Sequence, residues 1–187
     1  MTAPAIRGWC PGAHRPMASG DGLIVRVRPP FAGLSPEQAH GLAEAATAFG
    51  DGWLELTNRA NLQLRAVREN HLNALQEMLA SLALIDADPS YEGRRNIIVD
   101  PLSKNARQIA ADMAEGLRAE ELAPLPSKFG FVVDPRPTRT LFNVSGDIRI
   151  EADGASLIVR CDGLDAGRAV DDAKEAVALA LDLAHWF

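Results

Sequence analysis

The sequence predicts an α+β fold, with mixed sheets carrying helices on one face, and three observations point there. Short runs such as "LIVRVR" and "DIRIEAD" alternate apolar and polar residues with the period of a strand. Longer stretches repeat apolar residues at helical spacing and open on capping residues. The helices stand singly among the strands, the order expected of α+β layers. With 187 residues, 47% of them hydrophobic, the chain can bury a core as one domain or two small ones.

The first predicted strand runs from Gly22 to Arg28, with Leu23, Val25 and Val27 opposed to Ile24, Arg26 and Arg28, and Pro29 and Pro30 end it. "LSPEQAHGLAEAATAFGDG" follows as a helix in which Ser35 is the N-cap, Pro36 opens the first turn, Gln38 closes a capping box and Gly50 stops the element. Ala39, Leu42, Ala43, Ala46 and Phe49 form its expected core stripe. A long strand is expected from Trp53 to Val67. The next helix begins at about Asn70, with Leu72, Leu75, Leu79 and Leu82 on one face. Residues 1–86 thus make a β-α-β-α unit.

Residues 87–126 read as a linker and helix. "DPSYEGRRNIIVDPLS" is rich in Pro, Gly and charge, and carries Arg94, Arg95 and Asn96 before a short apolar run. A helix from Ser103 to about Leu122 stops ahead of Pro124 and Pro126. Residues 127–187 read as a second α+β half-domain: "KFGFVVD" as a buried strand and "DIRIEADGASLIVRCDG" as a hairpin turning near Asp153-Gly154. The last helix is expected from about Asp165, with Val170, Ala173, Val177 and Leu181 inward. Its end, "LALDLAHWF", is apolar, so Trp186 and Phe187 either dock onto the domain or mark a half-domain that is cut short and continues.

A formal net charge of −6 and a pI near 5.2 give no global positive field, which argues against nucleic-acid and membrane-surface binding. The sequence shows neither a secretory h-region nor a spanning apolar stretch, and the cytoplasm is the expected compartment. Cys10 and Cys161 are too few for a four-thiolate site and read as buried reduced thiols. His14, His40, His71 and His185 have no metal-ligand spacing, so no metal site is expected from this chain. Asp100, ahead of Pro101, reads as a turn former.

"TNRANLQLR" places Thr57, Arg59, Asn61, Gln63 and Arg65 on one side of the long expected strand, with Leu62 and Leu64 on the other. If that strand pairs with Leu23–Arg28, then Arg26, Arg28, Arg59 and Arg65 share a face. Four guanidiniums held close favour a bound anion, and arginine grips carboxylates through paired hydrogen bonds. The alternative is a solvated face with surface ion pairs, for instance to Glu55.

"RGWCPGAHRPMASGDGLIVRVRPP", "LTNRANLQLR", "RRNIIVDP" and "LPSKFGFVVD" occur in the order and rough spacing of the sirohaem-dependent nitrite and sulfite reductase family. The combination resembles its precorrin-3B synthase branch. The resemblance implies ferredoxin-like half-domains. It also implies that Arg26 and Arg95 hold an anion over the haem's distal face, with Lys128 as the surviving lysine of the "LPxKxK" strand and Gly130 in place of the second. Thr57, Asn58, Arg59 and Gln63 would contact sirohaem carboxylates, with Asn61 and Arg65 as neighbours, Asn96 beside Arg95, and Arg28 toward substrate.

On this reading the cofactors are sirohaem and a 4Fe-4S cluster, and the substrates are precorrin-3A and dioxygen. Oxygen-dependent hydroxylation of the macrocycle with lactone formation is the implied reaction. The loss of the second lysine suits a bulky tetrapyrrole better than a small oxyanion. The family's CxxxxxC and CxxxC cluster cysteines are absent, which implies a missing C-terminal half or a partner subunit, or a homodimer through the C-terminal helix. Two other readings stay open: a fragment of an assimilatory sulfite or nitrite reductase, and a non-catalytic α+β interaction module.

Overall fold

The computed structural model describes residues 10–187. The chain forms two compact units. One comprises the described residues up to Pro29 together with Leu34–Glu92, and the other comprises Pro30–Gly33 together with Gly93–Phe187.

The first unit opens with β1 (Met17–Ser19) and β2 (Gly22–Val27), continues through α1 (Pro36–Phe49), β3 (Leu54–Leu56) and β4 (Leu62–Val67), and closes on α2 (Leu72–Ser81). Its antiparallel sheet has the order β1-β2-β4-β3. Gly22 is required where β2 leaves the turn: its φ is +142°, and an added Cβ would lie 2.8 Å from the Ala66 carbonyl carbon. Helix α1 starts as its sequence dictates, since the Ser35 hydroxyl accepts from Gln38 N while the Gln38 side chain accepts from Ser35 N. Its buried stripe is Gly41, Leu42, Ala45 and Ala46, with Phe49 packed beside it, whereas Ala39 and Ala43 face solvent. The expected stripe was thus rotated, because alanines on both faces leave the periodicity ambiguous. Leu75 and Leu79 of α2 meet Val25, Val27, Leu64 and Val67 of the sheet in one core. Each fully buried leucine there contributes about 1.5–3 kcal/mol of apolar transfer.

The long strand expected from Trp53 to Val67 is a hairpin. Thr57 N donates to Asn61 O (2.9 Å) and Ala60 N to Thr57 O (3.1 Å), while the Thr57 hydroxyl accepts from Asn61 N (3.2 Å). This local hydroxyl-to-backbone bonding offers an alternative to the ladder, and Ala60, at φ +54°, completes the reversal. β3 then folds back on β4, pairing Glu55 with Gln63 and Leu54 with Leu64.

After α3 (Pro89–Arg94), the second unit continues with β5 (Ile97–Val99), α4 (Lys104–Gly116), β6 (Phe131–Asp134), β7 (Ile148–Asp153), β8 (Ser156–Cys161), β9 (Arg168–Val170) and α5 (Ala173–Trp186). Its mixed sheet has the order β5-β6-β7-β8-β9, parallel through β7 and antiparallel beyond. The segment expected as linker and helix therefore contributes a sheet strand, because the apolar run Ile97–Val99 pairs with Phe131–Val133. Helix α4 is shorter than expected, ending at Gly116, and α5 is preceded by β9 and starts only after its N-cap Asp172, whose side chain accepts from Glu175 N. Helix α5 buries Ala176, Val177, Ala180 and Ala184, not the expected Ala173 and Leu181, which are half-buried. Helices α4 and α5 both pack on the sheet, α4 against β5 and β6 and α5 against β7 and β8. No described helix is long and apolar enough to cross a membrane.

Candidate functional site

In the first unit the side of the sheet away from the core carries a polar ladder. Arg26 on β2 lies opposite Gln63 on β4, which lies opposite Glu55 on β3. The Arg26 guanidinium donates to Gln63 Oε1 from Nε (3.2 Å) and Nη2 (2.7 Å), and Gln63 Nε2 donates to Glu55 Oε2 (3.1 Å). Two residues along β4, Arg65 donates from Nε to Asp21 Oδ2 (3.1 Å) and from Nη2 to Ser19 Oγ (3.2 Å), and its Nη1 lies 3.6 Å from Glu55 Oε1. The Arg65 hydrogen bond, with help from Ser19, holds the Asp21 carboxyl below its usual range, and Asp21 in turn raises Arg65.

The expected four-arginine face is accordingly corrected. Arg26 and Arg65 share the face with Gln63, but Arg65 is already answered by Asp21 and Glu55. Arg28 follows the end of β2, is 5% exposed and lies 3.7 Å from Glu92, itself buried, so it does not stand on this face. Thr57, Asn58 and Arg59 belong to the hairpin reversal beyond the end of β3, and Asn61 is buried at 7% exposure. Two physical reasons apply: a buried guanidinium needs a carboxylate, and a reversal removes its residues from the alternation of a strand.

The remaining site residues lie in the second unit. Arg95 and Asn96 precede β5, and Lys128 precedes β6, so all three stand at the same end of this parallel pair. Asn96 Nδ2 donates to Ser127 O (2.6 Å) and Phe129 O (3.2 Å), bracing the loop that carries the exposed Lys128. Gly130 is buried. Its N–H donates to Asp147 Oδ2 (2.7 Å), and an added Cβ would make only ordinary contacts with Asn96.

Sequence reasoning missed a charged cluster under the second sheet. Arg149 and Glu151 alternate on β7 away from the apolar set and are almost fully buried. Glu151 accepts from Arg149 Nε (2.8 Å) and Arg160 Nε (2.7 Å), with Arg139 at 3.7 Å. Arg149 also donates to Leu141 O and Val144 O, pinning the segment between β6 and β7 across this side of the sheet. Asp134, opposite Glu151, accepts from Thr140 N and Leu141 N. Asp100 sets the expected turn through Leu102 N, but it is also fully buried and ion-paired with Arg136. The only available signal was the density of Arg, Asp and Glu in "DPRPTRT" and "DIRIEAD".

Among the described residues no group of three or more His, Cys, Asp and Glu side chains could hold a metal. Cys10 is half-buried and Cys161 exposed, not both buried as expected, and both are free thiols. A 4Fe-4S cluster does not fit these residues. The Arg26 guanidinium, oriented on the first sheet by Gln63, has the chemistry to grip a carboxylate such as those on a tetrapyrrole's rim. The first motif begins at Arg7, and its residues Arg7, Gly8 and Trp9 lie outside the described residues.

Residues 15–82 match the nitrite/sulfite reductase ferredoxin-like half domain. Over 154 residues the chain is 36% identical to a precorrin-3B synthase from Sinorhizobium sp, an alignment covering 78% of this chain and 32% of that protein. The chain thus matches about a third of that curated relative's length.

Proposed function

We propose, from the match of residues 15–82 to the nitrite/sulfite reductase ferredoxin-like half domain and the likeness to a precorrin-3B synthase, that the chain is the amino-terminal portion of a precorrin-3B synthase-like oxidoreductase of cobalamin biosynthesis. Its role is to bind the carboxylates of sirohaem or of a precorrin. The observation that carries this reading is Arg26, held on the outer sheet face by two hydrogen bonds to one amide oxygen. An arginine oriented in advance loses little freedom on gripping a carboxylate.

Arg26 orients one carboxylate of the macrocycle, and Thr57, Asn58 and Arg59 on the adjoining reversal take others. In the second unit Arg95 and Lys128 supply positive charge for the reaction, and Asn96 braces the backbone on either side of Lys128. Sirohaem, when bound, supplies the iron chemistry that activates dioxygen. The cluster ligands belong to the remainder of the protein or to a partner subunit.

Titration of the 187-residue chain with a polycarboxylate porphyrin, followed by the porphyrin's absorbance, tests the reading. Arg26→Ala combined with Arg59→Ala should weaken binding about ten- to a hundred-fold, the range for losing charge-assisted hydrogen bonds. Unchanged affinity in a folded double variant would sink the proposal and favour an interaction module.

A further inference from the structure

The carboxylate of Glu55 stands on β3, beside Arg65 of β4 and separated from Arg26 of β2 by Gln63, and nothing in a carboxylate-binding face asks for it there. It does two things. It lies 3.6 Å from Arg65, which Asp21 holds from the other side, so that the face carries two guanidiniums and two carboxylates. It also accepts from Gln63 Nε2, which dictates the orientation of that amide: with its NH2 turned to Glu55, its oxygen is the group presented to Arg26. Arg26 therefore bites Gln63 with its Nε–Nη2 edge, and the edge left for a ligand is Nη1–Nη2.

Resting on the carboxylate-binding function proposed above, we infer that Glu55 is the specificity-determining residue of this face. By joining Asp21 around Arg65 it removes the surplus positive charge that would hold a small inorganic oxyanion. By fixing Gln63 it leaves Arg26 as a single directed donor for an organic carboxylate. A small dianion gains its binding energy from summed charge, whereas a carboxylate on a large scaffold gains it from direction and from its other contacts. A face with no net charge but one oriented fork separates the two classes. Glu55 is a half-exposed residue, with 44% of its side chain accessible, so its charge can be removed with little effect on packing.

The test uses the full 187-residue chain, its Glu55→Gln and Asp21→Asn variants, and two probes: inorganic sulfate and a polycarboxylate porphyrin. Sulfate is read as a shift in thermal midpoint at fixed ionic strength, and porphyrin as an affinity across a salt series. Glu55→Gln should make sulfate bind about five-fold tighter at low salt and raise the midpoint with sulfate where the parent chain does not respond, an advantage that shrinks as salt screens it. Asp21→Asn, which uncovers the same arginine but leaves Gln63 oriented, should gain sulfate response while keeping the parent's porphyrin affinity. Glu55→Gln should weaken the preference for porphyrin over sulfate. Equal sulfate response in the parent and Glu55→Gln would overturn the inference, and Glu55→Ala, read in the same way, decides it should Glu55→Gln fail to fold. Failure of the parent chain to bind porphyrin would sink the proposed function, while the sulfate comparison would still decide the role of Glu55.

Discussion

Two charged surfaces, one on each sheet, are made from the same residue types and behave in opposite ways. On the first sheet Arg65, Asp21 and Glu55 are 31%, 41% and 44% exposed. On the second, Arg149 and Glu151 are 1% and 0% exposed, and the segment between β6 and β7 is fastened over them. Water solvates the first set whether or not the pairs form, so its geometry can yield to a ligand. The second set has no such alternative: each charge was taken out of water and relies on its partner. Arginine density alone therefore does not mark a ligand site. Exposure decides whether a guanidinium is available or is part of the scaffold.

Truncation makes the contrast measurable. Glu151→Ala should cost about 3–5 kcal/mol in urea unfolding, since it removes the carboxylate that the buried Arg149 shares with Arg160, and Arg149→Ala should cost a similar amount, since it strips the Leu141 and Val144 carbonyls of their donor and leaves Glu151 to Arg160. A loss below about 1 kcal/mol would mean that the cluster is solvated after all and that the two surfaces do not differ.

Acid sharpens it further. Burial pushes the Glu151 carboxyl up, but hydrogen bonds from Arg160 and Arg149 outweigh burial and hold it below the usual carboxylate range. A depressed folded pKa means that the stabilisation is complete above the unfolded value of about 4.3 and is lost as pH falls through the folded value. Unfolding midpoints should drop in that acidic window, and Glu151→Gln should remove that part of the slope. A parent and variant with parallel pH profiles would show that Glu151 is not the group responsible.

The smallest effect is expected on the open face. Arg65→Ala should change stability by at most about 1 kcal/mol, and less as salt is raised. A loss comparable to that of Arg149→Ala would erase the distinction between the surfaces.

Much of the frame was legible in the residues. Ser35 and Gln38 announced the start of α1, Asp153-Gly154 the hairpin between β7 and β8, and the leucine spacing of α2 its buried face. The hairpin at Thr57–Asn61 was not, because alternation resumes in phase on both sides of Asn58 in "LELTNRANLQLR" and the left-handed position is filled by Ala60, not by glycine or asparagine. That one reversal took Thr57, Arg59 and Asn61 off the expected sheet face. Arg28 was misplaced because its buried partner, Glu92, lies far along the chain, where no local period reveals it. Arg149 and Glu151 carry no local mark of their burial for the same reason: their cover comes from a different segment.

The excursion of Pro30–Gly33 has a practical meaning for anyone dividing the gene. The chain passes from one unit to the other at Pro29–Pro30, returns at Gly33–Leu34, and leaves again at Glu92–Gly93. Severing it at the last of these points yields a leading fragment with four foreign residues looped out of it and a trailing fragment lacking a piece of itself. Neither half is a faithful excision, and only a redesigned splice, bridging Pro29 to Leu34 and returning the displaced tetrapeptide to its own partner, would isolate them.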